Sequence, residues 1–168
     1  MSNSIQLNVF ETSPTPIKKA KKMYTVQKYK LSYVKEDPSF PSHKIVNKSD
    51  VTDFCKKFLS DIPVENVCII ALDNSNSIIG FDAIEGATNQ CAVYPSNCFR
   101  FLLSAGASSF IVAHNHPGGT TTASHADWTI TKRLKDAGSL LDIPLLDHLI
   151  VTEDTVVSLR ENSKWENN

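Results

Sequence analysis

The sequence predicts an α/β fold, because helical and strand patterns alternate along most of its length. Amphipathic stretches with apolar residues every three or four positions are separated by short runs of apolar and β-branched residues, which are typical of buried strands. Glycine, proline and asparagine mark the ends of these segments. Elements that interleave in this way usually form one sheet covered by helices. A chain of 168 residues is long enough to bury such a core without disulfides.

The two ends of the chain differ in composition from its centre. Residues 1–23 mix Ser, Asn, Thr, Pro and Lys with few large apolar groups, so we expect a flexible basic arm there. Residues 24–160 carry the periodic patterns and are interpreted as one domain, followed by a polar tail at residues 161–168. Lysines crowd the N-terminal part, namely Lys18, Lys19, Lys21, Lys22, Lys28 and Lys30. Such a run is more often solvated than bound to phosphate.

The first part of the domain is predicted to contain a strand and then a helix. Residues 24–34 are rich in aromatic and β-branched residues and precede the breaker Asp37-Pro38, which favours a strand. Ser49 or Asp50 is expected to cap a helix that ends before Pro63. Its inner face has helical spacing and consists of Val51, Phe54, Cys55, Phe58 and Leu59.

A hairpin and a second helix are predicted next. Residues 67–72 read as a buried strand, residues 73–76 as a turn and residues 77–84 as the returning strand, and a further strand is possible at 90–93. Pro95 suits the first turn of a helix that Gly106 ends. We expect Phe99, Leu102 and Leu103 to lie on the inner face of this helix.

The last part repeats the alternation of strand and helix. Residues 109–113 are an apolar run, followed by a loop that contains two histidines. Ser124 is expected to begin a long helix that ends at Ala137-Gly138, where glycine supplies the stop. Residues 143–152 are predicted to form a further strand, which a short hairpin follows.

His114-Asn115-His116-Pro117, with Asp127 further on, places three good zinc ligands within fourteen residues. Residues two apart on an extended chain point to the same side, so His114 and His116 can converge on one point while Asn115 faces away. Two imidazoles need at least one more protein ligand, and Asp127 is the obvious candidate. Three protein ligands with a fourth position left for water are typical of catalytic zinc.

Ser124 and Asp127 also have a purely structural interpretation. The pattern S-x-x-D at the start of an amphipathic helix resembles a capping box and needs no metal. Both interpretations hold together if these residues cap the helix through their backbone positions while their side chains face zinc and substrate. His148, in an apolar strand, is more readily explained by a buried hydrogen bond that could also support the metal ligands.

The spacing His114-x-His116, seven residues, Ser124, two residues, Asp127 resembles the motif of JAMM (MPN-type) zinc metalloproteases, and the chain is more similar still to their RadC-like branch. The similarity is carried by Leu72-Asp73-x-x-Asn76, Val93-Tyr94-Pro95 and Leu146-Asp147-His148, and by residues 24–31 and 137–141. It implies a JAMM/cytidine-deaminase-like fold with a mixed sheet flanked by helices. It also implies one zinc ion per chain, bound by His114, His116, Asp127 and water.

The resemblance further implies a glutamate at the start of an upstream strand. Glu65, directly before residues 66–70, matches that place, and Glu85 is the reserve choice because it also flanks a strand end. Zinc makes hydroxide available near neutral pH. Glu65 would then act as general base and acid in cleaving an amide, while Ser124 donates a hydrogen bond to the oxyanion. The expected substrate is a peptide or an isopeptide to a lysine.

Composition limits the other functions. The net charge of -1 gives no general reason to expect nucleic-acid binding, so any such contact would be weak and made by the lysine-rich arm. Cys55, Cys68, Cys91 and Cys98 form no C-x-x-C pair and fit reduced thiols in a cytoplasmic protein. Neither a signal peptide nor a membrane span is indicated. The alternatives to a peptidase are a DNA-associated accessory protein and a non-catalytic zinc-binding module.

Overall fold

The computed structural model describes residues 44–60, 62–85 and 93–166. Within these ranges the chain forms three helices and five strands. In chain order they are α1 (Lys48–Leu59), β1 (Asn66–Leu72), β2 (Ile78–Glu85), α2 (Pro95–Ala105), β3 (Ser109–Asn115), α3 (His125–Leu140), β4 (Leu145–Val151) and β5 (Val156–Ser158). The lysine-rich arm, Cys91 and the predicted strand at 24–34 lie outside the described residues. So does most of the strand predicted at 90–93, of which Val93 is described and is not in a strand.

The five strands form one sheet in the order β2-β1-β3-β4-β5. Strands β3 and β4 are parallel, whereas the other neighbouring pairs are antiparallel. The sheet is therefore mixed, and the predicted α/β class with a mixed sheet flanked by helices is confirmed. The hairpin of β1 and β2 and the strand β3 also lie where their apolar runs predicted them.

Helices cover both faces of this sheet. Alternate residues of β1 and β3 belong to two separate apolar clusters, because successive side chains of a strand point to opposite faces. Ile69 and Val112 pack in one cluster with residues of α2 and α3, while Ile70 and Ile111 pack in the other with residues of α1. All seven residues of β1 and of β3 are buried, which explains why both strands read as continuous apolar runs.

The predicted cap of α1 is wrong by two or three positions. Asn47 is the N-cap, since its side-chain oxygen accepts hydrogen bonds from the backbone N–H groups of Ser49 and Asp50. Asp50 lies at the third helical position and accepts the N–H of Asn47 in return. Asn, Ser and Asp are all good N-caps, so a run that contains the three of them leaves the exact start of a helix open.

Two predictions for the other helices are also corrected. Gly106 ends α2 in the left-handed conformation as expected, with φ of 70°, but Leu103 is 57% exposed and does not lie on the inner face. Helix α3 continues through Gly138 to Leu140. The glycine serves close packing instead, because a Cβ atom at this position would lie 2.5 Å from the carbonyl oxygen of Ile143.

Within the described ranges, none of the helices combines the length and the apolar character needed to cross a bilayer.

Candidate metal centre

The two histidines of the H-x-H pattern lie together at the end of β3. This strand extends to Asn115, two residues beyond the predicted run, and therefore includes His114. The Nε2 atoms of His114 and His116 are 2.9 Å apart. His114 is almost completely buried, whereas His116, just past the strand, is partly exposed. The alternation of side chains along an extended backbone thus brings both rings to one point, as the spacing predicted.

Asp127 joins the histidines from the first turn of α3. Its Oδ1 atom lies 3.3 Å from Nε2 of His114, and its Oδ2 atom lies 3.7 Å from Nε2 of His116. The same carboxylate accepts the backbone N–H of Ser124, and the hydroxyl oxygen of Ser124 accepts the N–H of Asp127. The capping box is therefore made by the side chains and not, as predicted, by backbone positions alone. One carboxylate both caps the helix and faces the histidines.

Glu65 completes the cluster from the segment before β1. One ligand atom from each of Glu65, His114, His116 and Asp127 lies within 4.8 Å of the others, so the four groups could hold a metal ion. Val67 pairs with His114 in the antiparallel ladder of β1 and β3. When this register is continued, Glu65, two residues before Val67, falls opposite His116, two residues after His114. The register therefore explains why Glu65 meets the histidines. Glu85 ends β2 opposite Asn66, and its side chain lies outside the described part.

Asn115, between the two histidines, faces away from them and holds the segment that carries Glu65. Its Oδ1 atom accepts the backbone N–H of Asn66 at 2.6 Å. Its side-chain amide donates to the carbonyl oxygens of Ile62 at 2.8 Å and Val64 at 3.0 Å. The strand end that supplies the histidines is thereby tied to the backbone on both sides of Glu65.

A chain of hydrogen bonds fixes the proton positions on the buried ring of His114. The Thr131 hydroxyl donates its one hydrogen to the carbonyl oxygen of Asp127, so it accepts from Nδ1 of His148 at 2.6 Å. Burial lowers the pKa of His148 well below the ordinary value, so its ring is neutral. Its Nε2 atom then accepts from Nδ1 of His114 at 2.8 Å. This leaves the Nε2 lone pair of His114 directed at the cluster.

His116 is oriented in the same sense by a backbone group. Its Nδ1 atom donates to the carbonyl oxygen of Thr120 at 2.7 Å, so its Nε2 atom also faces the cluster. The nearby Asp127 carboxylate raises the pKa of His116, although partial burial opposes this shift. Burial alone would raise the pKa of Asp127, but the adjacent rings of His114 and His116 hold that pKa well below the usual range. The cluster therefore favours positive charge at its centre.

A cleft of about 480 Å³ opens beside the cluster. Glu65, His114, Ser124 and Asp127 line one part of it. The remainder is largely apolar and is formed by α3, the two residues before α2 and the sheet. Its lining includes Val67, Val93, Tyr94, Val112, Ile130 and Leu134, together with Arg133. A ligand that reaches Glu65, His114 and Asp127 in this cleft thus also contacts an apolar wall.

Thr131 was not predicted as part of the site, although a usable signal exists. It follows Asp127 by four residues and so lies on the same face of α3. His148 was expected to be buried and hydrogen-bonded, which the structure confirms. Its neighbour Asp147 points to the other face, where it accepts hydrogen bonds from Ser158 and from the backbone of Arg160. Asp147 therefore joins β4 to the chain around β5 and lies apart from the cluster.

An α/β domain in which an H-x-H strand end meets an aspartate from the following helix has the organisation of a JAB-type domain with a candidate metal centre. The profile of the RadC-like JAB domain matches residues 45–165, and the chain belongs to this family.

Curated relatives agree with this assignment. A UPF0758 protein of Legionella pneumophila (strain Lens) is 36% identical over 123 residues, which are 73% of this chain and 54% of the relative. A UPF0758 protein of Shewanella woodyi is 38% identical over 120 residues, 70% of this chain and 53% of the relative. The chain thus spans about half the length of the curated relatives it matches.

Proposed function

We propose that this protein is a zinc-dependent metallopeptidase or isopeptidase that hydrolyses an amide bond. The observation that carries the proposal is the convergence of Nε2 of His114, Nε2 of His116 and the Asp127 carboxylate beside Glu65. Ligands about 2.0–2.1 Å from a tetrahedral zinc ion lie roughly 3.3 Å apart. The separations of 2.9 Å, 3.3 Å and 3.7 Å among these atoms fit that arrangement after small side-chain movements.

The donor set also fits zinc in its chemistry. Two imidazoles and one carboxylate, without cysteine, are typical of catalytic zinc, whereas structural sites are usually closed by thiolates. His114, His116 and Asp127 would hold the ion. When bound, zinc makes a hydroxide-like nucleophile available at neutral pH and polarises the substrate carbonyl.

The positions of two further groups, Glu65 and Ser124, support the proposal. Glu65 is exposed to the cleft and close to the three ligands, so its carboxylate would take a proton from the attacking water and return it to the leaving nitrogen. The hydroxyl oxygen of Ser124 accepts the N–H of Asp127, which leaves its hydrogen to be donated to the oxyanion. The Asn115 bonds would keep Glu65 in place during this transfer.

Metal content and cleavage should be measured on the same preparations. Protein purified without chelator, and its His114→Ala, Glu65→Gln and Glu166→Gln variants, would be analysed for zinc and incubated with mixed peptides and lysine-linked isopeptides. We expect about one zinc per chain except in His114→Ala. Glu65→Gln should keep zinc but lose cleavage by about 100- to 10,000-fold. Glu166 is exposed near the end of the described chain and serves as the control.

Three results would oppose the proposal. Wild-type protein without stoichiometric zinc, or a His114→Ala variant with unchanged zinc, would exclude the assigned centre. Equal cleavage by wild type and Glu65→Gln at equal zinc content would exclude Glu65 as the base. Stoichiometric zinc with no cleavage of any amide would favour a non-catalytic zinc-binding module.

A further inference from the structure

One face of α3 forms a wall of the cleft beside the candidate metal centre. Ala126, Thr129, Ile130 and Arg133 all line the cleft, and their spacing of three and four residues places them along one face of the helix. Arg133 follows Asp127 by six residues. At 1.5 Å per residue, it lies about 9 Å further along the helix axis. The wall therefore leads from the metal ligands to a guanidinium group.

Arg133 is the one lysine or arginine among the described residues that line this cleft. Within the described part of the chain the Arg133 side chain makes no ion pair or hydrogen bond, and the residue is exposed. Its neighbour Lys132 differs, since Lys132 lies 4.0 Å from Asp136 and does not line the cleft. The carboxylates of the cleft, Glu65 and Asp127, belong to the metal-binding cluster. Arg133 thus offers an uncompensated positive charge to a ligand.

The surroundings of Arg133 restrict the chemistry of that ligand. Tyr94 lines the same cleft and is 55% exposed, and the partly buried Ile130 adds apolar surface. A guanidinium binds a carboxylate through two parallel hydrogen bonds, and it can do so beside an apolar wall because it is weakly hydrated. The far part of the cleft therefore suits an anionic group attached to an extended, partly apolar chain.

We propose that Arg133 binds a carboxylate of the substrate, about three residues from the amide bond that is cleaved. An extended peptide advances about 3.3 Å per residue, so about three residues match the rise of about 9 Å along the α3 axis from Asp127 to Arg133. The carboxylate is either an acidic side chain or the free C-terminus of the peptide. This inference rests on the proposed amide hydrolysis and names the class of substrate that the same cleft selects.

The test is a competition among peptides that differ in one group. Peptides with Glu, Gln or Lys at each of the four positions on either side of the cleaved bond, each made as a C-terminal acid and as an amide, would be incubated with the zinc-loaded full chain. Wild type should prefer the carboxylate about three residues away by tenfold or more in kcat/KM, as expected for a hydrogen bond to a charged group. The acid and amide forms distinguish a C-terminal carboxylate from a side chain.

Variants assign the preference to Arg133. Arg133→Gln should abolish the preference for a carboxylate, and Arg133→Glu should reverse it so that peptides with Lys are preferred. The zinc content should not change in either variant. Lys132→Gln, on the adjacent exposed position, should leave the preference intact. A wild type without preference, a preference that persists in Arg133→Glu, or an equal loss in Lys132→Gln would overturn the inference.

Binding separates this inference from the proposed reaction. The same peptides, labelled with a fluorophore, would be titrated against zinc-loaded Glu65→Gln protein with and without the Arg133→Gln change. If binding depends on the peptide carboxylate and on Arg133, the carboxylate subsite at Arg133 is supported even when no peptide is cleaved. In that case only the proposed reaction fails. Cleavage together with binding that is indifferent to the carboxylate overturns the subsite and leaves the reaction standing.

Discussion

Replacing Asn115 with alanine would remove the side chain that ties the end of β3 to the segment before β1. Three hydrogen bonds, at 2.6 Å, 2.8 Å and 3.0 Å, would be lost. At about 1 kcal/mol each, their loss lowers the free energy of unfolding by about 3 kcal/mol. The buried N–H of Asn66 is left without its acceptor, which by itself costs about 1–3 kcal/mol.

The same change has a distinct effect on the site. Asn115 contacts the backbone beside Glu65, whereas His114, His116 and Asp127 are held by other bonds. If the proposed function holds, Asn115→Ala should keep its zinc but lose most of the cleavage, because Glu65 is no longer held beside His114, His116 and Asp127. Stability is measured by urea unfolding, zinc by elemental analysis, and cleavage with the peptide mixture.

The exposed Asn97 provides the matched control, and Asn97→Ala should change stability by less than about 0.5 kcal/mol. If Asn115→Ala lowered the free energy of unfolding by less than about 1 kcal/mol, the value calculated from its three hydrogen bonds would be refuted. If Asn115→Ala lost zinc in parallel with cleavage, the expectation that Asn115 positions Glu65 but not His114, His116 and Asp127 would be refuted.

Three further changes test other parts of the structure. His148→Leu removes the partner that orients His114, so zinc affinity should fall by about 10- to 100-fold. Competition with a chromophoric chelator would measure this affinity. An unchanged affinity would contradict the proton positions assigned to His114 and His148. Gly138→Ala places a Cβ atom 2.5 Å from a carbonyl oxygen. The free energy of unfolding should therefore fall by about 1–3 kcal/mol, which a lower midpoint of urea unfolding would show. A midpoint equal to that of the wild type would mean that the backbone shifts without cost. Burial raises the pKa of Cys68 to about 12, so its thiolate is scarce at pH 8 and alkylation followed by mass spectrometry should label it only after unfolding. Labelling of the folded protein at the rate of an unfolded control would exclude this burial.

The sheet could be predicted from the sequence because its central strands are buried on both faces. Asn66–Leu72 and Ser109–Asn115 contain continuous apolar runs that helical periodicity does not explain. Helix ends were less predictable, since they depend on which of several suitable residues makes the cap. Asn47 precedes Ser49 and Asp50, and nothing local ranks the three. Gly138 resembles a helix stop, but its contact with Ile143 is a property of the packed structure.

The candidate site was predictable where its members are close in sequence. His114, His116 and Asp127 lie within one strand, loop and helix turn, so alternation and helix geometry place them. The bonds that orient them join distant parts of the chain. His148 reaches His114 across 34 residues, and Asn115 reaches Asn66 across 49 residues. Such contacts depend on the order of strands in the sheet, which periodicity alone does not specify.

The orientation of the two rings is the strongest physical reason to expect a cation at this site. With Nδ1 of His114 bonded to His148 and Nδ1 of His116 bonded to Thr120, neutral rings would direct two Nε2 lone pairs at each other across 2.9 Å. Two lone pairs at that distance repel, and the Asp127 carboxylate adds negative charge. A shared proton or a metal ion relieves this repulsion. Zinc binding should therefore displace protons and weaken as the pH falls, which titration of the zinc affinity between pH 5 and pH 8 would measure.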